Sequence, residues 1–298
     1  MHPTLQPLLR HLPVIADGAW GTQLQALGLP PGACGDVWNL ERPEAAAQVA
    51  RAYVQAGSRV ILTNTFRANR IALADYGLAE KTVQINRAGA EISKRAAGAQ
   101  ALVFASIGPC GKMLLSGEVR EEQLAEAFAE QAGALAQGGA DGIVIETMSD
   151  LTEAKIALAA ASTTGLPVAV CMVFDSGPAK DRTMMGISPE QVAEELAAAG
   201  ADIIGANCGQ GIEGFISICE RLRRATALPI WIKPNAGLPE LQEGRVVYRT
   251  SARQFAAAVP ALAAAGASFI GGCCGTTPEF IREVVAIYPE KNTLRNSP

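Results

Sequence analysis

Three of the seven cysteines are spaced as ligands of one metal ion could be. Cys208 follows a short apolar run, and Cys273 and Cys274 form an adjacent pair after a later run. Glycines beside each position let the backbone approach a bound ion closely. Three sulfur ligands favour zinc, and a site with three protein ligands leaves a fourth position for a substrate. These residue types therefore predict a catalytic zinc centre.

The other four cysteines make a weaker case for chemistry. Cys171 lies within an apolar run and Cys219 on the apolar side of a helix, so both are expected in the core. Cys34 and Cys110 fall in loops and could be reactive, but no histidine accompanies either of them, which argues against a cysteine–histidine nucleophile. For the three candidate ligands, core packing and a disulfide within the adjacent pair stay open as alternatives.

Two acidic residues, Asp17 and Glu146, come directly after other apolar runs. A carboxylate at the mouth of a site is suited to hold the ammonium group of a substrate. Each residue also has a purely structural interpretation, since Asp17 before Gly18 could cap a turn and Glu146 could pair with a nearby cation. Substrate binding is the interpretation that we favour for both.

These candidate residues follow eight short apolar runs that are rich in β-branched residues. Their continuous hydrophobicity is typical of parallel strands that are covered on both faces. The predicted strands are 14–16, 59–62, 102–105, 142–145, 168–173, 202–205, 230–232 and 268–271. Alanine-rich segments with helical periodicity lie between them, among others at 43–55, 121–137, 152–161, 189–199, 214–224 and 252–265.

The alternation of strands and helices predicts a (β/α)8 TIM barrel, an α/β fold. Several helical segments end in a glycine just before the next strand, as at Gly57 and Gly139, where a left-handed conformation can close the helix. No linker-like segment interrupts the pattern, so we expect a single domain over residues 1–298 with a core at about 13–288. Catalytic groups of such barrels lie at the carboxyl ends of the strands, where the cysteines and carboxylates fall.

Composition and charge exclude several classes of protein. The net charge is −4 and the basic residues are dispersed, which argues against a nucleic-acid partner or an anionic membrane surface. No apolar stretch reaches the length of a membrane span, and the first ten residues do not resemble a signal peptide. We therefore expect a cytoplasmic protein.

One motif is typical of a different class of protein, the dinucleotide-binding proteins. Residues 209–214 read GQGIEG, a dinucleotide-binding fingerprint between a predicted strand and a helix. The acidic residue that such a site needs at the end of the next strand is missing, because Lys233 stands there. The motif also lies late in the chain beside Cys208, so we do not favour nucleotide binding.

The chain resembles the homocysteine S-methyltransferases, which include the homocysteine domain of cobalamin-dependent methionine synthase and betaine-homocysteine methyltransferase. The resemblance covers nearly the whole chain. It is carried by DGAWGT at 17–22, TNTF at 63–66, GP at 108–109, ET at 146–147, NCG at 207–209, PNAGLP at 234–239 and GCCG at 272–275. The NCG and GCCG motifs together are highly specific, and PNAGLP is similar to the methionine synthase branch.

The resemblance implies a role for each motif. Residues matching Cys208, Cys273 and Cys274 bind zinc in that family, and the acidic residues of the first and fourth motifs hold the amino acid part of homocysteine. This implies substrate binding by Asp17, with the adjacent Gly18, and by Glu146. The residue matching Asn235 can approach the zinc when homocysteine is absent.

The implied reaction is formation of methionine by attack of a zinc-bound homocysteine thiolate on a methyl donor. The chain shows no similarity to the folate-binding or corrinoid-binding domains, so the donor stays open. It could be a methylcorrinoid, supplied as a substrate or by a partner protein, S-methylmethionine or S-adenosylmethionine. The alternatives are methyl transfer to another thiol or a corrinoid protein, and a non-catalytic zinc-containing barrel that acts as a binding module.

Overall fold

The computed structural model describes residues 1–242 and 245–288. Eight parallel strands form one sheet, and a two-stranded antiparallel hairpin lies outside it. The strands of the sheet are β1 (Val14–Ile15), β2 (Val60–Ile61), β3 (Leu102–Ile107), β4 (Gly142–Met148), β5 (Val168–Met172), β6 (Ile203–Gly211), β7 (Ile230–Asn235) and β10 (Phe269–Ile270). The hairpin consists of β8 (Glu240–Gln242) and β9 (Arg245–Val247).

Helices alternate with the strands along the chain. They are α1 (Leu5–Leu9), α2 (Gly21–Ala26), α3 (Trp38–Glu41), α4 (Pro43–Gln55), α5 (Arg70–Ala74), α6 (Thr82–Ala97), α7 (Glu121–Gln137), α8 (Leu151–Ser162), α9 (Pro189–Ala198), α10 (Gly214–Ala225), α11 (Ala252–Ala264) and α12 (Pro278–Ile287), with a short 3-10 helix at Ala79–Lys81. Within the described residues, no helix combines the length and the apolar character that a bilayer span requires.

The sheet closes on itself as a (β/α)8 TIM barrel. Its strand order is β1-β10-β7-β6-β5-β4-β3-β2, and neighbouring strands are parallel throughout. The strands at the two ends of this order, β1 and β2, meet through a parallel bridge between Ala16 and Val60. The Arg59 N–H also donates to the Ile15 carbonyl oxygen at 2.8 Å. The predicted fold is confirmed.

All eight predicted strands are present, although some ends differ. β4 continues through Glu146 and β6 continues through Cys208, so both residues lie within the last part of a strand. Strand pairing therefore goes on after the apolar run has ended. The hairpin of β8 and β9 was not predicted, because strands of three residues are too short to show a periodic pattern.

Glycines end four helices in the predicted way. Gly57, Gly139, Gly200 and Gly266 follow α4, α7, α9 and α11 with φ angles of 98°, 87°, 91° and 108°. Residues with a side chain rarely adopt this region, so glycine allows the chain to turn directly into the next strand. The helix–strand spacing that builds the barrel is thus encoded locally.

The barrel interior is filled by large side chains. The Trp231 ring stacks between two others, with its centroid 5.7 Å from that of Phe104 and 4.9 Å from that of Phe269. Gly205 makes room for this layer, because a Cβ there would lie 2.0 Å from the Trp231 carbonyl oxygen. Leu5 of α1 is fully buried against the same cluster. This layer of the barrel interior is therefore hydrophobic core. The polar groups lie at the carboxyl ends of the strands.

Candidate functional site

The three candidate cysteine ligands meet at the carboxyl end of the barrel. Cys208 lies near the end of β6, and Cys273 and Cys274 lie between β10 and α12. The three sulfur atoms all lie within 4.8 Å of one another. The Sγ atoms of Cys208 and Cys273 are each 4.0 Å from that of Cys274. The barrel therefore brings together thiols that are distant in the sequence.

Backbone hydrogen bonds attach the cysteine pair to the end of β7. The Cys273 N–H donates to the Pro234 carbonyl oxygen at 2.7 Å, and the Ala236 N–H donates to the Cys274 carbonyl oxygen at 2.9 Å. Cys208 has a φ of 62°, in the left-handed region that residues with a side chain seldom adopt. Backbone strain of this kind is concentrated at functional sites.

The spacing of the sulfur atoms fits a metal ion and not a disulfide. A disulfide needs sulfur atoms about 2.0 Å apart, whereas those of Cys273 and Cys274 are 4.0 Å apart. Three sulfur atoms held tetrahedrally about 2.3 Å from one zinc would be about 3.8 Å apart, close to the spacing observed. The Asn235 Oδ1 atom is buried without a hydrogen-bond partner, and this side chain interacts with Cys208. The Asn235 side chain therefore lies beside the sulfur cluster and has an acceptor atom not used by the protein.

Mutual hydrogen bonding shifts the pKa values of the three thiols in opposite directions. Side-chain hydrogen bonds from Cys273 and Cys274 lower the pKa of Cys208. The interaction with Cys208 in turn raises the pKa values of Cys273 and Cys274. Hydrogen bonding among the three thiols therefore favours loss of a proton from the cluster, and the thiolate is the form that metals bind.

The other four cysteines are buried in the described structure. Cys171 in β5 and Cys219 in α10 belong to the core, as predicted. Cys34 and Cys110 lie in loops but are also buried, and burial raises their pKa values to about 11 and about 12. Neither loop cysteine has the lowered pKa of a reactive thiol.

Asp17 lies directly after β1 and is completely buried. Its Oδ1 atom accepts a hydrogen bond from Lys233 Nζ at 2.6 Å, and the two residues form a buried ion pair. Its Oδ2 atom accepts from Trp20 Nε1 at 2.8 Å and from the Leu62 N–H at 2.7 Å. No local pattern indicates this ion pair, because its members are 216 positions apart.

Glu146 also interacts electrostatically with Lys233. It is 8% exposed, and its Oε1 atom accepts a hydrogen bond from Ser106 Oγ at 2.5 Å. Burial raises the pKa of Glu146, and the positive charge of Lys233 opposes that effect. Burial lowers the pKa of Lys233, but the charges of Asp17 and Glu146 outweigh it, so the net direction is upward. The two predicted carboxylates therefore share one buried lysine.

Gly18 is required by close packing next to Asp17. A Cβ at this position would lie 2.7 Å from Tyr53 Oη and 2.8 Å from Thr276 Oγ1. The Thr276 hydroxyl accepts from the Ala19 N–H at 3.1 Å and donates to the Cys273 carbonyl oxygen at 2.7 Å. This threonine thus joins the segment around Gly18 to the cysteine pair.

Asn207 connects the sulfur cluster to the segment of Glu146. Its Nδ2 atom donates to Thr147 Oγ1 and its Oδ1 atom accepts from the Thr147 N–H, both at 2.7 Å. Thr147 has a φ of 63°, so these bonds hold a strained residue next to Glu146. The Asn207 Nδ2 atom also lies 3.8 Å from Cys273 Sγ. The sequence indicated Asn207 only by its position at a strand end and in the NCG motif, and neither predicts this hydrogen-bonding role.

Exposed apolar side chains lie on several loops that follow the strands at the same end of the barrel. They lie between β3 and α7, between β5 and α9, and in and beside the β8–β9 hairpin. The residues are Met113, Leu115, Met184, Met185, Leu238, Leu241 and Val246. Loops that follow the strands of such a barrel surround its mouth. Several loops at this end of the barrel therefore carry exposed apolar side chains, which we refer to together as the apolar rim.

The GQGIEG segment is used for other contacts. Its first three residues belong to β6, and Gly214 begins α10. The Gln210 Nε2 atom donates to the carbonyl oxygens of Phe174 and Lys180, both at 3.0 Å. These bonds fasten the loop that follows β5, and Lys233 is engaged by Asp17. A dinucleotide site gains no support from this arrangement.

Comparison with known proteins gives relatives along most of the chain. The family model described as homocysteine S-methyltransferase matches residues 14–288. Methionine synthase of Mycobacterium leprae is 32% identical over 295 residues, which cover 92% of this chain and 24% of that protein. Methionine synthase of Mycobacterium tuberculosis is also 32% identical, over 292 residues, with the same coverage. The chain thus spans about a quarter of the length of these relatives.

A solved structure is similar over nearly its full length. The metallated form of the homocysteine methyltransferase MmuM from Escherichia coli has a TM-score of 0.80 and 25% identity, covering 95% of this chain and 99% of that one. The oxidised form of the same protein, at 24% identity, also has a TM-score of 0.80 and shares the fold. Motifs, barrel and family match agree, and the chain belongs to the homocysteine S-methyltransferase family.

Proposed function

We propose that this protein is a zinc-dependent methyltransferase that converts L-homocysteine to methionine. The observation that carries the proposal is the group of three sulfur atoms within 4.8 Å of one another at the carboxyl end of the barrel. Membership of the homocysteine S-methyltransferase family supports the reaction class. The similar Escherichia coli homocysteine methyltransferase was solved in a metallated form, which supports a metal at this position.

Cys208, Cys273 and Cys274 would hold the zinc. A sulfur-only protein donor set is typical of zinc, and three ligands leave one position for the acceptor. Asn235 Oδ1 lacks a hydrogen-bond partner and is the candidate for that fourth position when no acceptor is bound. When bound, zinc would supply the charge that keeps an acceptor thiol ionised near neutral pH.

Asp17, Gly18 and Glu146 would form the acceptor end of the site. Both carboxylates belong to the segments that border the cysteine cluster, through Thr276 on one side and Asn207 on the other. A charge-assisted hydrogen bond to the α-ammonium group would orient homocysteine with its sulfur toward the cysteines. Holding the thiolate in a fixed orientation toward the methyl donor lowers the entropic part of the activation barrier.

The transfer itself is a displacement at the methyl carbon. The acceptor thiolate attacks the methyl group in line with the leaving atom, a new sulfur–carbon bond forms, and the leaving group departs with the electron pair of the broken bond. The product sulfur is a neutral thioether, which is a weaker metal ligand than a thiolate. Methionine should therefore leave readily.

The methyl donor would enter across the apolar rim at the mouth of the barrel. The exposed side chains there, which include Met184, Leu238 and Leu241, suit a donor with an apolar surface. A methylcorrinoid, free or on a partner protein, fits this description and is our first choice. S-methylmethionine and S-adenosylmethionine are the other donors to test.

Because the proposed ligands are reduced thiols, we expect the enzyme in a reducing compartment such as the cytoplasm.

A non-catalytic zinc barrel that acts as a binding module is the alternative from another class. Structural zinc has four protein ligands that close the coordination shell. Within the described residues, the cysteine cluster offers three thiols, none of which is fully buried. A zinc ion held by these three thiols would keep a fourth coordination position open to a substrate. This favours an enzyme over a binding module.

Methionine formation tests the proposal directly. The zinc-loaded full-length chain is incubated with L-homocysteine and, separately, with methylcobalamin, S-methylmethionine, S-adenosylmethionine or betaine, and methionine is measured by mass spectrometry. We expect methionine from one donor class and none without zinc. A protein that binds zinc and homocysteine but makes no methionine from any donor would contradict the proposal, and methylation of a different added thiol would favour the other acceptor.

A further inference from the structure

The proposed site contains competing nucleophiles. Besides the sulfur of the acceptor, it holds the sulfur atoms of Cys208, Cys273 and Cys274, which would be thiolates when they bind a metal. A thiolate of any of these groups can attack a methyl donor. Transfer to a cysteine would turn a thiolate ligand into a thioether, which binds zinc weakly, and the site would be lost. The protein therefore needs a means to direct the methyl group to the acceptor.

Hydrogen-bond donors from β6 reach two of the three cysteine sulfur atoms. The Asn207 Nδ2 atom donates to Cys273 Sγ at 3.8 Å. The backbone N–H of Gly209 donates to Cys208. A hydrogen bond to a thiolate withdraws charge from the sulfur, and a less basic sulfur is a weaker nucleophile. Both cysteines are therefore less reactive than a thiolate without such a donor.

Tyr248 supplies the donor for the third sulfur atom, that of Cys274. The hydrogen bond between the two side chains stabilises the protonated hydroxyl and the ionised sulfur, so Tyr248 is the donor. The tyrosine ring lies against Gly275, where a Cβ would overlap it, with the Cδ1 atom 2.8 Å away. Gly275 also has a φ of 80°, which residues with a side chain rarely adopt. Glycine thus lets the ring lie over the backbone next to Cys274.

The β8–β9 hairpin carries Tyr248 to this place. At the base of the hairpin, the Thr250 N–H donates to the Ala236 carbonyl oxygen at 3.2 Å, and the Ala236 N–H donates to the Cys274 carbonyl oxygen at 2.9 Å. A Cβ at Gly237 would lie 2.8 Å from Thr250 Oγ1, so glycine is required where the hairpin closes. The hairpin is thus attached to the backbone of the cysteine whose sulfur accepts from Tyr248.

We propose that Tyr248 is a positioning residue that protects Cys274 from methylation by holding its sulfur in a hydrogen bond, and so directs the methyl group to the acceptor. Cys274 needs this protection because Leu241 and Val246 of the hairpin belong to the apolar rim, across which the donor would enter. Without it, the Cys274 thiolate attacks the methyl carbon, a sulfur–carbon bond forms, and the leaving group departs with the electron pair of the broken bond. This inference rests on the proposed function for the metal and the methyl donor.

The test follows methylation of the zinc-loaded full-length chain by a small electrophile. The wild type and Tyr248→Phe are treated with iodomethane in the absence of an acceptor, and the initial rate at each cysteine is measured by peptide mass spectrometry. Phenylalanine keeps the ring over Gly275 and removes only the hydroxyl. We expect Cys274 to react about tenfold faster in the variant, as loss of a hydrogen bond to a charged group predicts. Equal rates at Cys274 in the two proteins would overturn the inference.

A second measurement adds the acceptor. With L-homocysteine present, iodomethane can methylate either homocysteine or Cys274, and the ratio of the two products is compared between the wild type and Tyr248→Phe. The share of methyl groups on Cys274 should rise about tenfold in the variant. An unchanged ratio would contradict a role of the Tyr248 hydroxyl in directing the methyl group.

Two controls keep the result interpretable. Tyr76→Phe removes the hydroxyl of an exposed tyrosine and should match the wild type at every cysteine. The zinc content of Tyr248→Phe is measured first and should equal that of the wild type. Loss of zinc from the folded variant would overturn the inference, because the hydroxyl would then serve to hold the metal.

A change in the tyrosine itself gives a test of opposite sign if Tyr248→Phe does not fold. In the wild-type chain prepared with 3-fluorotyrosine, the more acidic hydroxyl is a stronger donor, so Cys274 should react more slowly, and an unchanged rate would contradict the inference. Iodomethane replaces the natural donor in all these experiments. Absence of methionine formation by the wild type with every donor would therefore count against the proposed function and leave the inference standing.

Discussion

The Asn207 side chain holds Thr147 with two hydrogen bonds, donating to its hydroxyl and accepting from its backbone N–H, both at 2.7 Å. Thr147 has a left-handed backbone, and it directly follows Glu146. Asn207 in turn directly precedes Cys208. One amide therefore connects the proposed metal-binding end of the site to the proposed ammonium-binding end.

Replacing Asn207 by Ala should loosen that connection. We expect a loss of about 1–3 kcal/mol in the free energy of unfolding, because a buried N–H loses its partner. The kcat/KM for methyl transfer should fall about tenfold or more, since Glu146 is no longer fixed. Urea unfolding and steady-state kinetics measure the two effects. Adding Thr147→Gly, which tolerates the left-handed backbone, should recover part of the stability; no recovery would mean that strain at Thr147 is unimportant.

Replacing Cys208 by Ala should abolish zinc retention and methyl transfer. Two thiols cannot complete the three-sulfur set, and the zinc content of the purified protein should fall far below one per chain. Cys219→Ala is the matched control, because Cys219 is fully buried in α10 away from the cluster. That variant should keep its zinc and lose about 1 kcal/mol of stability. Full activity of Cys208→Ala would remove the metal from the mechanism.

The ion pair of Arg221 with Glu190 should contribute to stability only above acidic pH. Two hydrogen bonds from Arg221, at 2.6 and 2.7 Å, lower the pKa of Glu190 from 4.5 to about 2. A carboxyl whose pKa is lower in the folded state stabilises the fold above its unfolded pKa, and this contribution is lost as the pH falls through the folded value.

Glu190→Gln should therefore reduce the free energy of unfolding by about 0.5–1 kcal/mol at pH 7, a value discounted for the partly exposed position. The difference between variant and wild type should shrink between pH 4.5 and about 2. Urea unfolding at a series of pH values measures it. A difference that stays constant down to pH 2 would show that the charge of Glu190 is not responsible.

Two glycines with opposite surroundings test the packing of the barrel. A Cβ at Gly205 would lie 2.0 Å from the Trp231 carbonyl oxygen, whereas a Cβ at Gly133 in α7 would meet nothing within 4 Å. Gly205→Ala should destabilise the protein by about 2 kcal/mol or more, because backbone would have to move. Gly133→Ala should stabilise it by about 0.5–1 kcal/mol through helix propensity. Thermal unfolding of both variants checks the signs.

The sequence by itself determined the barrel and the cysteines that we propose as metal ligands. Apolar runs, helical periodicity and terminal glycines such as Gly57 are local signals, because each reflects the burial or the backbone conformation of a few neighbouring residues. Once eight parallel strands were predicted, closure of the barrel had to bring Cys208 close to the Cys273–Cys274 pair. Convergence of strand ends is a property of the fold and needs no knowledge of side-chain contacts.

Only the tertiary structure decided which partners the polar side chains have. Lys233 and Asp17 are 216 positions apart, and Asn207 and Thr147 are 60 positions apart. Such pairs depend on the stagger of the strands and on which residues point inward, and a shift of one residue would reverse each side chain. The burial that gives these contacts their strength is likewise absent from the chain before it folds.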